Sequence, residues 1–392
     1  MSENPKRVLL VRGHHPTVWG LRAYERLPER FDVRLVTTDR LRFDITGLDL
    51  TTVKLPTLRD RLPRGVLGDY ASLALRDRFR GGDDVFGSTD LVHAEELSLW
   101  FSADVARLKR RHGFRLAVTV WETIPLLEAY RSPHARAWRR ETLAEADLFI
   151  ASTDRARHGL LLEGVPDDHI VVSYPGVDVH RFAAATAGAP HDGHVILSPG
   201  RLEWEKGHQD VLRAVALLRK GHVPLPADVA RGLRVRLVGS GPEADRLRRY
   251  ASELGIADAV EFRSVPYEEM PGLYAEASCM VLASLPRSGC ALHPGDIPRC
   301  FWEEQFGLVL AEAMAAGLPL LVSASGAIPE VTGPEATFFT PGDWIGLAQA
   351  LASGPLSESP GARRTYDAAR VDRYSIERST ERIAAAYDRV LT

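Results

Sequence analysis

The chain has 392 residues, of which 45% are hydrophobic and 26% charged, and its formal net charge is −3 at pH 7. A single hydrophobic core usually stops growing at roughly 250–300 residues, so this length predicts two domains of similar size. Because the net charge is small, the sequence gives no electrostatic reason to expect nucleic acid or a membrane as a binding partner. Three cysteines are too few for a secreted disulfide framework, which favours a reducing compartment.

The N-terminus and the longest apolar stretch bear on localisation. The run MSENPKRVLLVRG lacks the apolar length and the small-residue cleavage site of a secretory signal. The stretch Phe306–Ile328 is interrupted by Glu312, Gly317 and Pro319, which a membrane-spanning helix tolerates poorly. We therefore expect a cytoplasmic protein. Basic clusters such as Lys109–Arg111 leave a peripheral position at the inner membrane face open, beside the alternative of an ordinary solvated surface.

Short aliphatic runs alternate with helical patterns along the first half of the chain. Nearly continuous apolar strands separated by helices are typical of a parallel sheet covered on both faces, which is the doubly wound arrangement. The segment 184–193 is small, polar and contains Pro and Gly, so it is the predicted linker. The predicted strands are Arg7–Val11, Asp32–Thr37, Leu91–Ala94, Arg115–Val120, Asp147–Ser152 and His169–Ser173.

A second alternation of the same kind follows the linker. We therefore predict an α/β fold in which two doubly wound Rossmann-like domains, residues 1–183 and 194–372, face each other across a cleft. A final helix within residues 373–392 is predicted to pack back on the first domain. The predicted strands of the second half are His194–Ser198, Arg234–Val238, Ala259–Phe262, Cys279–Ala283, Pro319–Val322 and Thr337–Phe339.

The segment EEQFGLVLAEAMAAG combines two glutamates with the start of a helix. A helix beginning near Phe306 would present free N–H groups at Gly307 and Leu308, where its positive dipole end suits a phosphate. Glu304 and Glu312 would lie on the order of 9 Å or more apart at ~1.5 Å rise per residue, which fits two sugars flanking a diphosphate. For an isolated pair of this kind, two ordinary solvated charges on a helix face are the favoured explanation.

A basic loop follows the first strand of the second half, in the run SPGRLEWEKGH. Ligands in open α/β sheets bind outside the carboxyl ends of the strands, which is where this loop lies. Arg201 offers a planar fork for phosphate oxygens, and Lys206 offers a mobile point charge. Each is commonplace alone, but together with Glu304 and Glu312 they predict a site for a phosphate-linked sugar.

Four runs in this order and spacing resemble the retaining glycosyltransferases of family 4. They are SPGRLEWEKGHQDVLRAVALL, LVGSGPEADRL, YEEMPGLYAEASCMVLAS and EEQFGLVLAEAMAAGLPLLVS. The resemblance is close over most of residues 194–345 and looser in the first half, where it rests on YPGVD and the strand pattern. It implies the GT-B fold, in which two Rossmann-like domains enclose the active site.

The resemblance also implies which residues bind the donor. Arg201 and Lys206 would contact the donor diphosphate and act in catalysis. Glu304 would contact the transferred sugar, also as a catalytic group, and Glu312 would contact the ribose. The other implied donor-binding residues are Gly13 on the first loop, Arg263, Ser264 and Val265 beside the base, and Phe306, Gly307 and Leu308 at the helix start.

The implied reaction moves a hexosyl group from a nucleoside-diphosphate sugar to a hydroxyl of a small molecule, glycan or lipid, with retention of configuration. No cofactor is implied, UDP is the first expectation for the nucleotide, and GDP is the second. The chain contains no Asp-x-Asp sequence, so we expect transfer without a metal. Alternatives are another GT-B activity, such as a sugar-nucleotide epimerase or phosphorylase, and a degenerate, non-catalytic sugar-nucleotide-binding subunit.

Two departures from the family pattern concern the acceptor side. Where the family commonly has a histidine after the fourth predicted strand, this chain has Trp121, followed by Glu122. Trp121 either forms a wall of the acceptor site or packs, and Glu122 would lie near the acceptor. The first loop carries His14 and His15, and either histidine is a candidate for contact with a donor or acceptor phosphate.

A long loop, residues 284–302, precedes the glutamate motif and is predicted to be a specificity lid over the sugar. Cys290, His293 and Cys300 invite a zinc hypothesis, but a structural zinc site needs four ligands. Plain thiols or a disulfide explain the cysteines as well.

Overall fold

The computed structural model describes residues 4–63, 77–127, 133–186, 193–286 and 302–392, together with Gly68. The chain divides into two compact units. The first comprises Met1–Gly176 and Ile376–Thr392, and the second comprises Val177–Ser375. The boundary predicted from the sequence was 183/184. Among the described helices, none is both long and apolar enough to cross a membrane.

The described residues of the first unit form a seven-stranded parallel sheet in the order β3-β2-β1-β4-β5-β6-β7. The edge strand β3 was missed in the sequence because its TTVK run is half exposed and carries no apolar stretch. The strands are β1 (Lys6–Gly13), β2 (Phe31–Thr37), β3 (Thr51–Lys54), β4 (Leu91–Glu95), β5 (Arg115–Val120), β6 (Leu148–Ala151) and β7 (Ile170–Val172).

Helices of the first unit cover this sheet with apolar side chains. The last helix of the chain belongs here, because its Ile376, Ile383 and Tyr387 share a core with Val8 and Leu10 of β1. The described helices are α1 (Val18–Glu25), α2 (Asp83–Gly87), α3 (Trp100–His112), α4 (Pro133–Glu145), α5 (Asp154–Leu162) and, after the second unit, α15 (Ile376–Leu391).

The described residues of the second unit form a six-stranded parallel sheet in the order β10-β9-β8-β11-β12-β13. Its strands are β8 (Val195–Pro199), β9 (Arg234–Val238), β10 (Val260–Arg263), β11 (Cys279–Leu282), β12 (Leu320–Ser323) and β13 (Thr337–Phe339). Its helices are α6 (Val179–Ala185), α7 (His208–Arg219), α8 (Ala227–Gly232), α9 (Ala244–Glu253), α10 (Met270–Glu276), α11 (Leu308–Ala315), α12 (Ile328–Thr332), α13 (Trp344–Ser353) and α14 (Ala368–Arg373).

Two sequence predictions need correction. Residues 184 and 185 of the predicted linker are the end of α6, where Asp178 caps the helix by accepting from the Arg181 N–H. The predicted helix at Phe306 starts two residues later, at Leu308, because Gly307 adopts a left-handed φ of +78°. Residues 187–192 lie outside the described part.

Strand order places the first strand of each unit in the middle of its sheet. The chain leaves β1 toward β2 and β3 and returns on the other side at β4, and β8 and β11 are related in the same way. Such reversal points open a crevice at the carboxyl ends of the strands. The loops after β1, β4, β8 and β11 therefore occupy the ligand-binding edge of their sheets.

A polar contact fixes α15 to the first sheet. His93 of β4 is fully buried, and burial holds its pKa well below the ordinary value, so the ring is neutral. Its Nδ1 lies 2.7 Å from the Tyr387 hydroxyl of α15, and its Nε2 lies 2.7 Å from the Thr119 hydroxyl. Both ring nitrogens of this core histidine are thus satisfied.

Replacing Tyr387 by Phe tests this contact, since it removes the hydroxyl and keeps the ring. We expect the free energy of unfolding in urea to fall by about 1–3 kcal/mol, because a buried nitrogen loses its partner. Asp388→Asn on the same helix breaks only an exposed ion pair with Arg30 and should cost less than about 1 kcal/mol. Equal losses in the two variants would contradict a structural role for the buried hydroxyl.

Candidate functional site

A buried ion pair joins the loop after β8 to the segment before α11. The Lys206 ammonium lies 2.7 and 3.0 Å from the two carboxylate oxygens of Glu304, and the side chains are only 11% and 6% exposed. Ser284, which follows β11, donates a 2.7 Å hydrogen bond to the same carboxylate. The ring of Trp302 lies 4.7 Å from the ammonium. Glu304 is therefore held in one orientation by two donors.

Two glycines allow the backbone to approach this pair. At Gly207, with φ +70°, a Cβ would lie 1.9 Å from the Ala283 carbonyl oxygen. At Gly326, with φ +55°, a Cβ would lie 2.1 Å from the Glu304 carbonyl oxygen. Any other residue at either position would have to displace the backbone of the segments that carry Ser284 or Glu304.

Arg201 is held within its own loop. Its guanidinium pairs with Glu203 and lies 3.7 Å from Glu205, while its side chain is 47% exposed. Burial, and then hydrogen bonding to Glu203, raises the pKa of Glu205 to about 7. The two carboxylates therefore compete for one guanidinium.

His208 supports this loop and was missed in the sequence analysis. Its Nε2 faces the Arg201 carbonyl oxygen at 3.1 Å, and since a carbonyl only accepts, Nε2 carries the proton. Nδ1 then accepts from the Ser198 hydroxyl at 2.9 Å. Burial lowers the pKa of His208 to about 4, so this neutral tautomer persists at neutral pH. The histidine fixes the backbone from which the Arg201 side chain extends.

Glu312 lies in α11, is 3% exposed and contacts tyrosines rather than Lys206. The Tyr274 hydroxyl donates to its Oε2 at 2.6 Å, and Tyr267 forms a second hydrogen bond. Burial raises the pKa of Glu312 to about 7, with the tyrosine hydrogen bonds acting in the opposite direction. Both tyrosines are in the YEEMPGLY run, but nothing in their spacing revealed that they meet a glutamate 38 or more residues away.

The remaining predicted donor residues lie at strand and helix ends of the second unit. Gly307 caps the start of α11, where Leu308 is the first helical residue. Phe306 is only 1% exposed and packs edge to face on Tyr374 at 5.4 Å, so its side chain belongs to the core. Arg263 and Ser264 are exposed at the end of β10, and Val265 beside them is half-buried.

The first unit carries the other predicted residues. Gly13 ends β1 with φ +55°, and a Cβ there would lie 2.5 Å from the Phe101 ring. The loop continues into His14 and His15, whose rings lie 3.8 Å apart. A glycine is thus required where the backbone passes Phe101, which gives a packing reason for Gly13.

Trp121 is fixed by two glutamates at the end of β4. Its indole N–H donates to Glu95 at 2.8 Å, and the backbone N–H groups of Trp121 and Glu122 donate to Glu96 at 2.9 and 3.1 Å. The Glu122 carboxylate in turn accepts from the N–H groups of the next two residues at 3.0 Å. The glutamates at 95 and 96 were missed, although the AEE run at the strand end was a visible signal.

The described residues contain no group of three or more His, Cys, Asp or Glu that could hold a metal ion. Cys290, His293 and Cys300 lie outside the described residues, as does most of the predicted lid at 284–302. The zinc, disulfide and lid hypotheses therefore stay predictions. The Lys109–Arg111 cluster is described, and each of its cations pairs with a carboxylate of Asp83, Glu145 or Asp147.

Two family models match the chain. "Glycosyl transferases group 1" matches residues 181–370, and "Glycosyl transferase 4-like domain" matches residues 11–176. The matches together span most of both units, as expected for a two-domain nucleotide-sugar transferase. The chain belongs to the group 1 glycosyltransferases.

The chain is also similar to curated proteins that are named as glycosyltransferases. The chain is 30% identical over 290 residues to D-inositol 3-phosphate glycosyltransferase 1 of Catenulispora acidiphila, a match that covers 68% of this chain and 61% of the relative. It is 29% identical over 332 residues to D-inositol 3-phosphate glycosyltransferase of Mycobacterium leprae, covering 78% of this chain and 70% of the relative. The first match therefore leaves more than a third of that relative's length unmatched.

Solved structures show the same fold. HepE of Anabaena, determined in complex with UDP and glucose, has a TM-score of 0.71 at 17% identity and covers 98% of this chain and 100% of its own. Sucrose-phosphate synthase from Thermosynechococcus elongatus has a TM-score of 0.67 at 19% identity, covering 98% of both chains. Both likenesses support the GT-B architecture of two Rossmann-like domains.

Breaking the buried ion pair should destabilise the protein. Lys206→Met leaves Glu304 buried without its cation, and we expect the free energy of unfolding to fall by about 3–5 kcal/mol. The double variant Lys206→Met/Glu304→Gln should recover part of this loss, because no unpaired charge is left. Urea denaturation of Lys206→Met, Glu304→Gln and the double variant measures the three losses of unfolding free energy. A loss in the double variant equal to the sum of the two single losses would contradict direct coupling.

Glu312→Gln should flatten the dependence of stability on pH. The folded-state pKa is raised from 4.5 to about 7, so the folded protein binds the extra proton between these values. The stability that Glu312 contributes is full below pH 4.5 and is lost as pH rises through 7. Wild type should therefore lose more unfolding free energy between pH 4.5 and 7 than Glu312→Gln does.

Urea denaturation across this pH range checks the expectation. Glu253→Gln, an exposed replacement in α9, is the control and should keep the wild-type slope. A wild-type slope in Glu312→Gln would show that the buried carboxyl does not titrate in this window.

Proposed function

We propose that the chain is a retaining, metal-independent glycosyltransferase that moves a hexosyl group from a nucleoside-diphosphate sugar to a hydroxyl acceptor. The observation that carries the proposal is the buried Lys206–Glu304 pair with Ser284. A carboxylate held in one orientation can accept from sugar hydroxyls with its remaining lone pairs, while the ammonium beside it suits a phosphate. Membership of the group 1 glycosyltransferases supports the same reaction.

In this proposal the donor occupies the second domain. Lys206 and Arg201 bind the diphosphate, and the first N–H groups of α11 at Gly307 and Leu308 assist them. Glu304 orients the transferred sugar through its hydroxyls. Glu312, with Tyr267 and Tyr274 beside it, accepts from the ribose. Arg263, Ser264 and Val265 line the base.

Arg201 has to change partners when the donor binds. Its guanidinium pairs with Glu203 and Glu205, so it must release at least one carboxylate to contact phosphate oxygens. An Arg–phosphate contact can be bidentate, which compensates for the lost pair. His208 keeps the Arg201 backbone in place during this exchange, since its Nε2–H binds the Arg201 carbonyl.

In the proposed reaction, the main catalytic task of the protein is to stabilise the leaving diphosphate. The bond from the anomeric carbon to the phosphate oxygen breaks, and the acceptor oxygen bonds to that carbon from the same face. The acceptor proton passes to the departing phosphate oxygen. Lys206, Arg201 and the N–H groups of α11 would stabilise the charge that develops on the diphosphate. Preorganised cations of this kind supply what a metal supplies elsewhere, and the chain has no Asp-x-Asp sequence.

The acceptor belongs, in this proposal, to the first domain. Trp121, held by Glu95, provides a rigid wall where the family commonly has a histidine, and Glu122 lies beside it. UDP is the first expectation for the nucleotide and GDP the second, and the HepE structure contains UDP. We propose a hydroxyl acceptor of small-molecule, glycan or lipid type, and the relatives named as D-inositol 3-phosphate glycosyltransferases support the small-molecule class. In this proposal the reaction takes place in the cytoplasm.

A non-catalytic sugar-nucleotide-binding subunit is the second candidate. Trp121 favours it, because an indole cannot perform the acid–base role open to a histidine. The contacts of Lys206, Glu304 and Ser284 oppose it, since a binding subunit does not need a buried pair at the sugar position.

Nucleotide binding tests the donor site. In a thermal-shift panel of UDP, GDP, ADP and TDP, we expect one nucleotide to stabilise the protein selectively, by roughly 2.7 kcal/mol at 100 times its dissociation constant. EDTA should leave this stabilisation unchanged. Lys206→Ala should abolish it, whereas Lys220→Ala, at an exposed lysine of the same domain, should not.

Each other outcome argues against part of the proposal. Loss of binding in EDTA would contradict metal independence, and equal effects of the two lysine variants would contradict the site. Binding without release of nucleoside diphosphate from the matching sugar donor, across a panel of hydroxyl acceptors, would favour the binding subunit.

A further inference from the structure

The indole of Trp302 lies at the buried ion pair of the second domain. Its ring centre is 4.7 Å from the ammonium of Lys206, which pairs with Glu304, two residues after Trp302. An ammonium has three N–H donors, and the two Glu304 oxygens lie 2.7 and 3.0 Å from it. The ring, the ammonium and the carboxylate therefore border the same small region of the domain.

Trp302 differs from the aromatic residue that follows it in this segment. Phe306 is 1% exposed and packs on Tyr374, so it belongs to the core. Trp302 is only half-buried. The ammonium lies over the electron-rich face of its indole, a contact that a purely apolar core does not offer. The ring thus combines accessible surface with a position at the ion pair.

Backbone contacts fix the segments around the ion pair. The Leu285 N–H donates to the Glu205 carbonyl at 2.8 Å, which joins the end of β11 to the loop after β8. The Ser323 hydroxyl, at the end of β12, donates to the Ser284 carbonyl at 2.6 Å. None of these contacts involves the Trp302 side chain. A change of that side chain should therefore leave the three strand ends in place.

The charges at this position limit the kind of sugar that fits beside them. Lys206 and Glu304 carry opposite charges and pair with each other, so the pair offers no net positive charge to an acidic sugar. The proposed function places the transferred sugar at Glu304, where a sugar carboxylate would meet a like charge. Sugar hydroxyls can instead donate to the remaining lone pairs of Glu304.

We propose that Trp302 is a specificity-determining residue of the donor-sugar subsite, where its indole packs against the C–H face of the hexosyl group. The inference rests on the proposed function and names the class of donor sugar: an uncharged hexose rather than a hexuronate. The ring carbons of a hexose carry hydrogens that form an apolar face, which an indole can cover while Glu304 accepts from the hydroxyls. Ligand sites commonly combine an aromatic wall with a few polar groups that fix orientation.

The test measures what the sugar adds to nucleotide binding. Isothermal titration of the full chain uses UDP, UDP-glucose, UDP-galactose and UDP-glucuronate, and GDP, GDP-mannose and GDP-mannuronate if the protein selects GDP. Wild type should bind an uncharged sugar nucleotide about tenfold or more tightly than the uronate. Trp302→Ala should weaken binding of that sugar nucleotide about tenfold and leave the free nucleotide within about twofold. Trp302→Phe keeps an aromatic face and should recover most of the loss.

Trp344→Ala is the matched control. It removes another half-buried indole of the same unit, at the start of α13, which follows the edge strand β13. It should leave the affinities for nucleotide and sugar nucleotide within about twofold of wild type, because no contact with the sugar is lost.

The outcomes separate the inference from the proposed function. Equal weakening of nucleotide and sugar nucleotide in Trp302→Ala would assign the indole to the support of Lys206 and overturn the inference. Unchanged affinity for the sugar nucleotide, or a preference of wild type for the uronate, would overturn it as well. If no nucleotide binds wild type, the proposed function fails together with the inference, whereas nucleotide binding that does not depend on Trp302 overturns only the inference.

A second measurement uses the wild-type side chain. The chain has seven tryptophans, so fluorine spectra of protein labelled with 5-fluorotryptophan should contain seven resonances. The resonance that is missing in Trp302→Phe identifies Trp302. The bound sugar nucleotide should move it beyond its position with the free nucleotide. The same position with both ligands would overturn the contact between the indole and the sugar.

Discussion

All strands described in both sheets run parallel to their neighbours, and the site geometry follows from this constraint. In a parallel sheet, a crossover connects each strand to the next. The carboxyl ends of all strands, and the loops that follow them, therefore lie at the same edge of the sheet. Residues far apart in sequence therefore meet, as Lys206 after β8 and Ser284 after β11 do at Glu304. The same rule brings His14 and Arg59 together in the first domain.

The second domain holds its ionisable groups in pairs with different energetic consequences. Lys206 and Glu304 are buried together, so removal of either one leaves the other as an unpaired buried charge. Arg201 is half exposed, so its pairing with Glu203 and Glu205 is weak, and in the proposed reaction a contact with phosphate replaces it. Glu312 is buried with tyrosine hydroxyls, and burial raises its pKa to about 7. The loop after β8 thus carries both a buried cation, Lys206, and a half-exposed cation, Arg201.

The first domain places buried acidic side chains and neutral histidines at the carboxyl ends of different strands. Glu95 and Glu96 hold the backbone and indole of Trp121. Burial lowers the pKa of His14 to about 3 and that of His15 to about 4, so both rings are neutral. The proposed reaction assigns recognition of the donor and of the acceptor to different domains.

The sequence by itself determined the two-domain α/β class, twelve of the described strands and the candidates Arg201, Lys206, Glu304 and Glu312, because apolar runs and local motifs are properties of short segments. It missed β3, whose half-exposed TTVK run has no such signal. Only the tertiary structure decided that Ser284 binds Glu304, that two tyrosines bind Glu312 and that the Trp302 ring lies at the Lys206 ammonium. These depend on contacts between distant segments and on burial, which no local pattern encodes.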